Sequence, residues 1–197
     1  YLPVLLGLMV LDPVSATAKS STAKSAAAAP VKDYGRLPEF SLMDHRGAPF
    51  TRRQLTGRVS IADFIFTRCA GQCPMMHDRM RKVARALAGE AELQLLSFSV
   101  DPAHDTLETL AAFAGTVTRG EARWRFITGD ERAVTELAGK GFRLAAGGEG
   151  SVEEPITHST RLVLIDRGGH VRGYYDAADE AAADRLARDA RRLLRAP

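Results

Sequence analysis

Apolar residues change their spacing several times along this chain, and each change predicts an element. In PEFSLMDHRGAPFT, residues 38–51, they alternate around an Arg-Gly pair, which predicts a β-hairpin of Phe40–Met43 against Pro49–Thr51. A β-rich run, RVSIADFIFT, follows and leads into FTRCAGQCPMM. There the period becomes helical: Met76, Met80, Val83 and Leu87 fall at i, i+4, i+7 and i+11, one stripe facing a core. Beyond it the chain reads as a buried strand (LQLLSFSVD), a helix over about 106–116, a strand (RWRFIT) and a helix over about 130–139. A Gly-rich loop, AAGGEGSVEEP, then precedes two strands, TRLVLID and HVRGYY, joined by RGG, and an amphipathic helix over about 180–194.

Strands alternating with helices imply a mostly parallel sheet, and the late hairpin adds an antiparallel edge. With a cysteine motif between the first core strand and the next helix, this is the α/β pattern of a thioredoxin-like fold, carrying an N-terminal β-hairpin extension. The chain has 197 residues, 45% hydrophobic and 26% charged, enough for one core and one folded domain, expected over 37–197. The segment before it is different in kind. Residues 2–11 are an unbroken apolar run, short of the roughly twenty residues a spanning helix needs but suited to a signal peptide or a trimmed anchor, placed over 1–18. Residues 19–36, rich in Ala, Ser and Lys, read as a flexible linker. Both readings place the domain beyond a membrane, in the periplasm or on an extracytoplasmic face. A net charge of +3 with no basic-aromatic stripe argues against nucleic acid, and the arginines of RLARDARRLL read as the solvated face of the last helix.

The two cysteines of the chain, Cys69 and Cys73, stand in one C-x-x-x-C-P motif. A structural disulfide, a redox dithiol and part of a metal site all fit two thiols there. With Pro74 as first helical residue, Cys73 becomes the N-cap, and the helix dipole with Arg68 should favour thiolate at both sulfurs. A structural bridge would close only a short loop, the case of least entropic gain. Redox pairs of the thioredoxin type space their cysteines by two residues; three, including Gly71, let both sulfurs converge on one ion. Such a site needs a third ligand. His45 and His170 sit at turns and are expected exposed. His104 follows the second core strand, and His158 precedes TRLVLID, whose leading loop packs beside the cysteine turn in a thioredoxin-like fold. His77 lies one helical turn from Cys73, within reach of a shared metal, though its face, with Arg81 and Ala84, predicts a solvated side chain. Met76 and Met80 belong to the core stripe, whereas Met75 is placed to line the surface of the site.

In order, FTRCAGQCPMM, SVDPAHDTLETL, RWRFITGD and ITHSTRLVLID resemble the Sco/SenC family of thioredoxin-like copper proteins over roughly residues 37–194. The resemblance implies that Cys69, Cys73 and His158 bind copper, and it matches Asp101, Pro102, Asp105 and Thr106 to a D-P-x-x-D-T motif, with Asp101 a supporting or partner-contact candidate. Two positions depart from the family pattern: Ala70 replaces a usual Pro, and His77 a usual Thr. Thiolates with imidazole suit Cu(I), and Cu(II) heads the divalent affinity series, so one site can hold either state. The resemblance further implies a metallochaperone that supplies the dinuclear copper centre (Cu-A) of cytochrome c oxidase. Its partners would be the copper-bearing subunit, other copper chaperones and thioredoxin-like reductants, and the N-terminal segment would hold it to a membrane. The competing readings are a thiol:disulfide reductase acting on the oxidase cysteines, and a copper or redox sensor.

Overall fold

A computed structural model describes residues 31–144, 146–149 and 156–196; the expectations for residues 1–30 lie outside them. The strands are β1 (Ser41–Asp44), β2 (Pro49–Thr51), β3 (Val59–Ile65), β4 (Leu93–Ser99), β5 (Trp124–Thr128), β6 (Ala146–Glu149), β7 (Ile156–His158), β8 (Arg161–Ile165) and β9 (Val171–Asp176). The helices are α1 (Cys73–Ala86), α2 (Leu107–Val117), α3 (Glu131–Glu136) and α4 (Ala182–Arg195). Seven strands form one mixed sheet in the order β2-β1-β5-β4-β3-β8-β9. β3, β4 and β5 run parallel, while β8 and β9 join antiparallel on one side and the β1–β2 hairpin on the other.

β3 and β4 are buried at every position, as central strands covered on both faces must be, which is why they read as near-continuous runs instead of alternating ones. On one face Phe64, Phe98 and Phe142 cluster with ring centroids 5.1–5.5 Å apart. α1 and α4 pack together, tied by Lys82 to Asp184 at 2.8 Å, and Tyr175 Oη donates to Asp189 at 2.8 Å. The predicted stripe is the buried side of α1: Met76, Met80, Val83 and Leu87 have no exposed surface.

The expected hairpin extension is present and widens the sheet, Met43 and Asp44 pairing with Thr128 and Ile127. Three boundaries move. The expected linker ends before residue 36: Tyr34 N–H donates to Val171 O and Val171 N–H to Gly35 O, at 2.8 and 2.9 Å, and Val31 and Tyr34 pack on the core. Composition missed these residues because one valine and one tyrosine carry the docking. The Gly-rich loop contributes strand β6, which pairs with β7 in a separate two-stranded sheet, Ala146 opposite His158 and Glu149 opposite Ile156. The helix predicted over 130–139 is α3 followed by a π-helical turn, Leu137–Gly141.

The end of α1 is held by a side chain far along the sequence. Arg123, fixed by Glu121 at 2.6–2.8 Å, donates to the carbonyls of Ala84, Leu87 and Glu90 at 2.9–3.2 Å. Ala84 lies in the last turn of α1, whose carbonyls lack intrahelical partners, and Leu87 and Glu90 lie in the turn that follows it. Arg123→Ala is expected to cost on the order of 1–3 kcal/mol, read as a lower urea midpoint at unchanged m-value. Wild-type stability in this variant would show that water replaces the guanidinium at no cost. Among the described residues no helix is long and apolar enough to cross a membrane.

Candidate metal centre

The loop that carries the cysteines leaves the C-terminal end of β3 and is clamped before the first sulfur. Thr67 donates from both its amide (3.1 Å) and its hydroxyl (2.5 Å) to the fully buried carboxylate of Asp105. Ser99 Oγ donates to the same carboxylate at 2.6 Å and accepts from the Asp101 amide at 3.1 Å. Asp101 in turn receives Arg68 Nη2 at 2.6 Å and lies 2.8 Å from His104 Nδ1. Burial alone would raise the Asp101 carboxyl, but the Arg68 guanidinium and His104 outweigh it and hold the group below its ordinary value. Asp101 therefore stands as a charged support beside the cysteine loop, in contact with the residue that precedes Cys69. Asp105, matched in the sequence only as part of the D-P-x-x-D-T motif, and Ser99, which no motif marked, fix the same loop from beneath.

The helix begins one residue earlier than the sequence predicts. Gln72 is the N-cap, without a side-chain cap, and Cys73 is the first residue of α1, ahead of Pro74. Cys73 is buried to 1% exposure, its sulfur 3.9 Å from the Phe66 carbonyl, and Cys69 to 8%. Both are thiols, within hydrogen-bonding reach of each other. The expectation of a thiolate at Cys73 is corrected: burial pushes this thiol well up, and the Cys69 thiol adds to the rise. At this depth desolvation outweighs the dipole of the helix start. The buried Asp63 of β3 also acts through its charge on Cys73. Asp63 was not anticipated, although one acid inside the apolar run VSIADFIF was its signal.

The histidines separate clearly. His77 is buried, not solvated, its ring 5.5 Å from Phe113 and 6.1 Å from Trp124 in edge contacts. It belongs to the packing between α1, α2 and β5. His45 and His170, expected exposed, are half-buried: His45 Nδ1 accepts from the Phe126 amide at 3.1 Å, and His170 pairs with Asp33 at 3.1 Å. His104 is exposed and engaged by Asp101. Met75 is partly buried against the core. His158 ends β7, with Ser159 and Thr160 between it and the start of β8. Because β8 runs antiparallel to β3, it starts at the end of the sheet where β3 finishes and the cysteine loop begins; the side chain of His158 lies outside the described positions. Among the described residues no three His, Cys, Asp or Glu side chains gather as a metal site. What is assembled is a pair of soft sulfur donors, an incomplete set that suits a soft ion only with a further ligand.

The SCO1/SenC family model matches residues 30–195. A SCO1/SenC family lipoprotein from Bacillus anthracis has a structure similar to this one, with a TM-score of 0.76 at 31% identity, covering 84% of this chain and 99% of the other. BsSco, described as a member of the Sco family of cytochrome c oxidase assembly proteins, aligns with a TM-score of 0.74 at 27% identity over 86% of this chain and all of the other. The copper-bound ScoI of Bradyrhizobium japonicum shares the fold, at TM-score 0.68 and 22% identity, over 81% of this chain and 99% of its own.

Proposed function

The chain belongs to the SCO1/SenC family, and on that premise we propose that it binds copper through Cys69, Cys73 and His158 and delivers it to the Cu-A centre of cytochrome c oxidase during assembly. The observation that carries this reading is the buried pair of thiols where β3 meets α1, within hydrogen-bonding reach of each other. Two sulfurs are the donors that a soft cuprous ion selects. Related proteins support the cargo and the client: ScoI of Bradyrhizobium japonicum is copper-bound, and BsSco is a family member in oxidase assembly. The relative from Bacillus anthracis is a lipoprotein, which supports a place on the outer side of a membrane, with residues 1–18 as signal or anchor.

Copper is cargo in this reading, and the protein's part is to hold it and let it go. Cys69 and Cys73 take the ion as thiolates, releasing their protons, so the buried Cys73 thiol ties loading to proton loss. In this reading His158, the last residue of the separate strand β7, supplies the third ligand. A partner's thiolates then replace these ligands one at a time. The same two thiols, within hydrogen-bonding reach of each other, also favour a second reading, a thiol:disulfide reductase acting on the oxidase cysteines.

Copper titration of the reduced protein against a moderate chelator separates the two, and the histidine variants test the ligand set. One copper should be retained. His158→Ala is expected to remove or strongly shift the thiolate-to-Cu(II) charge-transfer band, whereas His77→Ala, which empties a site between Phe113 and Trp124, leaves the band in place and lowers stability. Loss of the band in His77→Ala alone would put the third ligand on α1. No copper retained by the wild type would favour the reductase.

A further inference from the structure

A cavity of about 580 Å³ lined by Tyr34, Arg143, Arg161, Tyr174, Asp176 and Arg185 lies apart from the cysteine pair but at the same end of the sheet. Arg161 opens β8 and Asp176 closes β9, and both of those ends stand where β3 runs into the cysteine loop.

Its walls are aromatic. Tyr34 and Tyr174 meet edge to face at 4.9 Å, and Tyr174 Oη donates to the Phe142 carbonyl at 2.9 Å, which fixes the ring. Around these rings stand cations. The Arg161 guanidinium lies 5.9 Å from the Tyr174 centroid and Lys32 Nζ 4.9 Å from that of Tyr34.

Most arginines among the described residues bond carboxylates or backbone carbonyls. Arg143 and Arg161 are exposed and, among the described residues, neither has an ion pair or a side-chain hydrogen bond. The third arginine of the cavity, Arg185, is held by Asp179 at 2.5 Å. The lone acid of the lining is partly spent: Asp176 Oδ1 accepts from Thr160 Oγ1 and the Ala178 amide at 3.1 and 3.0 Å.

The backbone is also shaped for this arrangement. Arg143 adopts φ +54°, a left-handed conformation that costs energy for a residue with a Cβ, and its guanidinium passes 3.7 Å from where a Cβ on Gly35, itself at φ +106°, would lie. Strain kept at such a place is held by the surrounding fold and marks a position to examine for function. Two uncommitted planar guanidiniums beside fixed tyrosine rings suit carboxylates, which they can bind in pairs of parallel hydrogen bonds.

We propose that this cavity docks an acidic segment, aspartate or glutamate side chains, on the surface of the protein that receives the copper. This deepens the delivery reading and rests on it for the identity of the partner; the carboxylate-binding property stands on the cavity alone. Docking here would set a partner next to the strand that ends at His158, and the basic lining would speed encounter with an acidic face.

The test begins without metal. The full chain, copper-free and at about 20 mM salt, is titrated with a capped tetrapeptide of alternating aspartate and glutamate and followed by amide NMR; its asparagine-glutamine counterpart is the control. Shifts should centre on the backbone around Tyr34, Arg143, Arg161 and Tyr174. The double variant Arg143→Gln/Arg161→Gln should weaken binding about tenfold or more, and about 200 mM salt should weaken it in the wild type. Arg85→Gln/Arg119→Gln, in a separate basic cavity of about 360 Å³, should bind as wild type. Equal weakening in both double variants, or shifts centred elsewhere, would overturn the site.

Copper transfer to a purified copper-bearing domain of the oxidase then tests the partner. Arg143→Gln/Arg161→Gln should retain copper as wild type but transfer it several-fold more slowly at low salt. Unchanged transfer despite lost peptide binding would overturn the assignment of the partner. A wild type that retains no copper would defeat the delivery reading, while the peptide titration would still decide whether the cavity binds carboxylates.

Discussion

Cys73→Ser is expected to abolish copper retention, with affinity falling by more than about a hundredfold, the upper end of what loss of a mere outer partner costs a metal site. A hydroxyl is a hard donor that keeps its proton where a soft metal displaces the proton of a thiol, so the variant keeps one soft sulfur instead of two. Cys69→Ser should do the same. The two variants should nevertheless differ in stability. Cys73 lies in the core, 1% exposed and 3.9 Å from the Phe66 carbonyl, and a serine there fills less volume but can make that hydrogen bond more strongly. Cys69 is nearer the surface, at 8%, and its replacement should be close to neutral. Metal analysis after exposure to a chelator gives the retention, and circular dichroism verifies the fold. If either single variant held one copper as tightly as the wild type, the shared-site reading would be wrong, and the remaining sulfur with a histidine would have to suffice.

The sheet and the core stripe of α1 were legible because burial there follows a single period. β3 and β4 are mainly apolar and buried at every position, and Met76, Met80, Val83 and Leu87 repeat with the helix. What escaped was set by contacts between distant parts of the chain. His77 reads as polar beside Arg81, yet Phe113 from α2 and Trp124 from β5 roof it over, and no local pattern announces that. Cys73 reads as an activated N-cap if only the helix dipole is considered; its depth in the core reverses the sign. Strand β6 could not be seen in AAGGEG, where glycine and alanine carry no β preference and pairing with β7 supplies the structure. The cysteine pair was visible from spacing, whereas the clamp of Thr67, Ser99 and Asp105 that positions it emerges only when β4 is laid beside β3.

Asp63 supplies a large effect that does not depend on any metal. It is fully buried in β3, neither carboxyl oxygen meets a hydrogen bond of ordinary geometry, and burial pushes its pKa up to about 7, with the Ser97 hydroxyl easing the rise only in part. In the unfolded chain the same group titrates near 3.8. Below that value both states are protonated and Asp63 carries no penalty. Between about 4 and 7 the unfolded chain has lost the proton while the folded protein keeps it, so stability falls as pH rises; above 7 both are ionised and the loss is complete. The separation corresponds to a loss on the order of 4 kcal/mol. His45 opposes this over part of the window, because burial, with Arg46 beside it, lowers its pKa and stability from that source rises toward pH 6.5. A comparison with Asp63→Asn cancels His45 and isolates the carboxyl. The amide has the same shape and no proton to lose, so the stability of the wild type relative to the variant should drop by several kcal/mol between pH 4.5 and 7.5, measured by urea unfolding of the metal-free, reduced proteins. A difference that stays constant across that range would mean that Asp63 ionises in the folded protein as it does in the open chain, and that the core beneath α1 solvates a charge it has no visible means to hold.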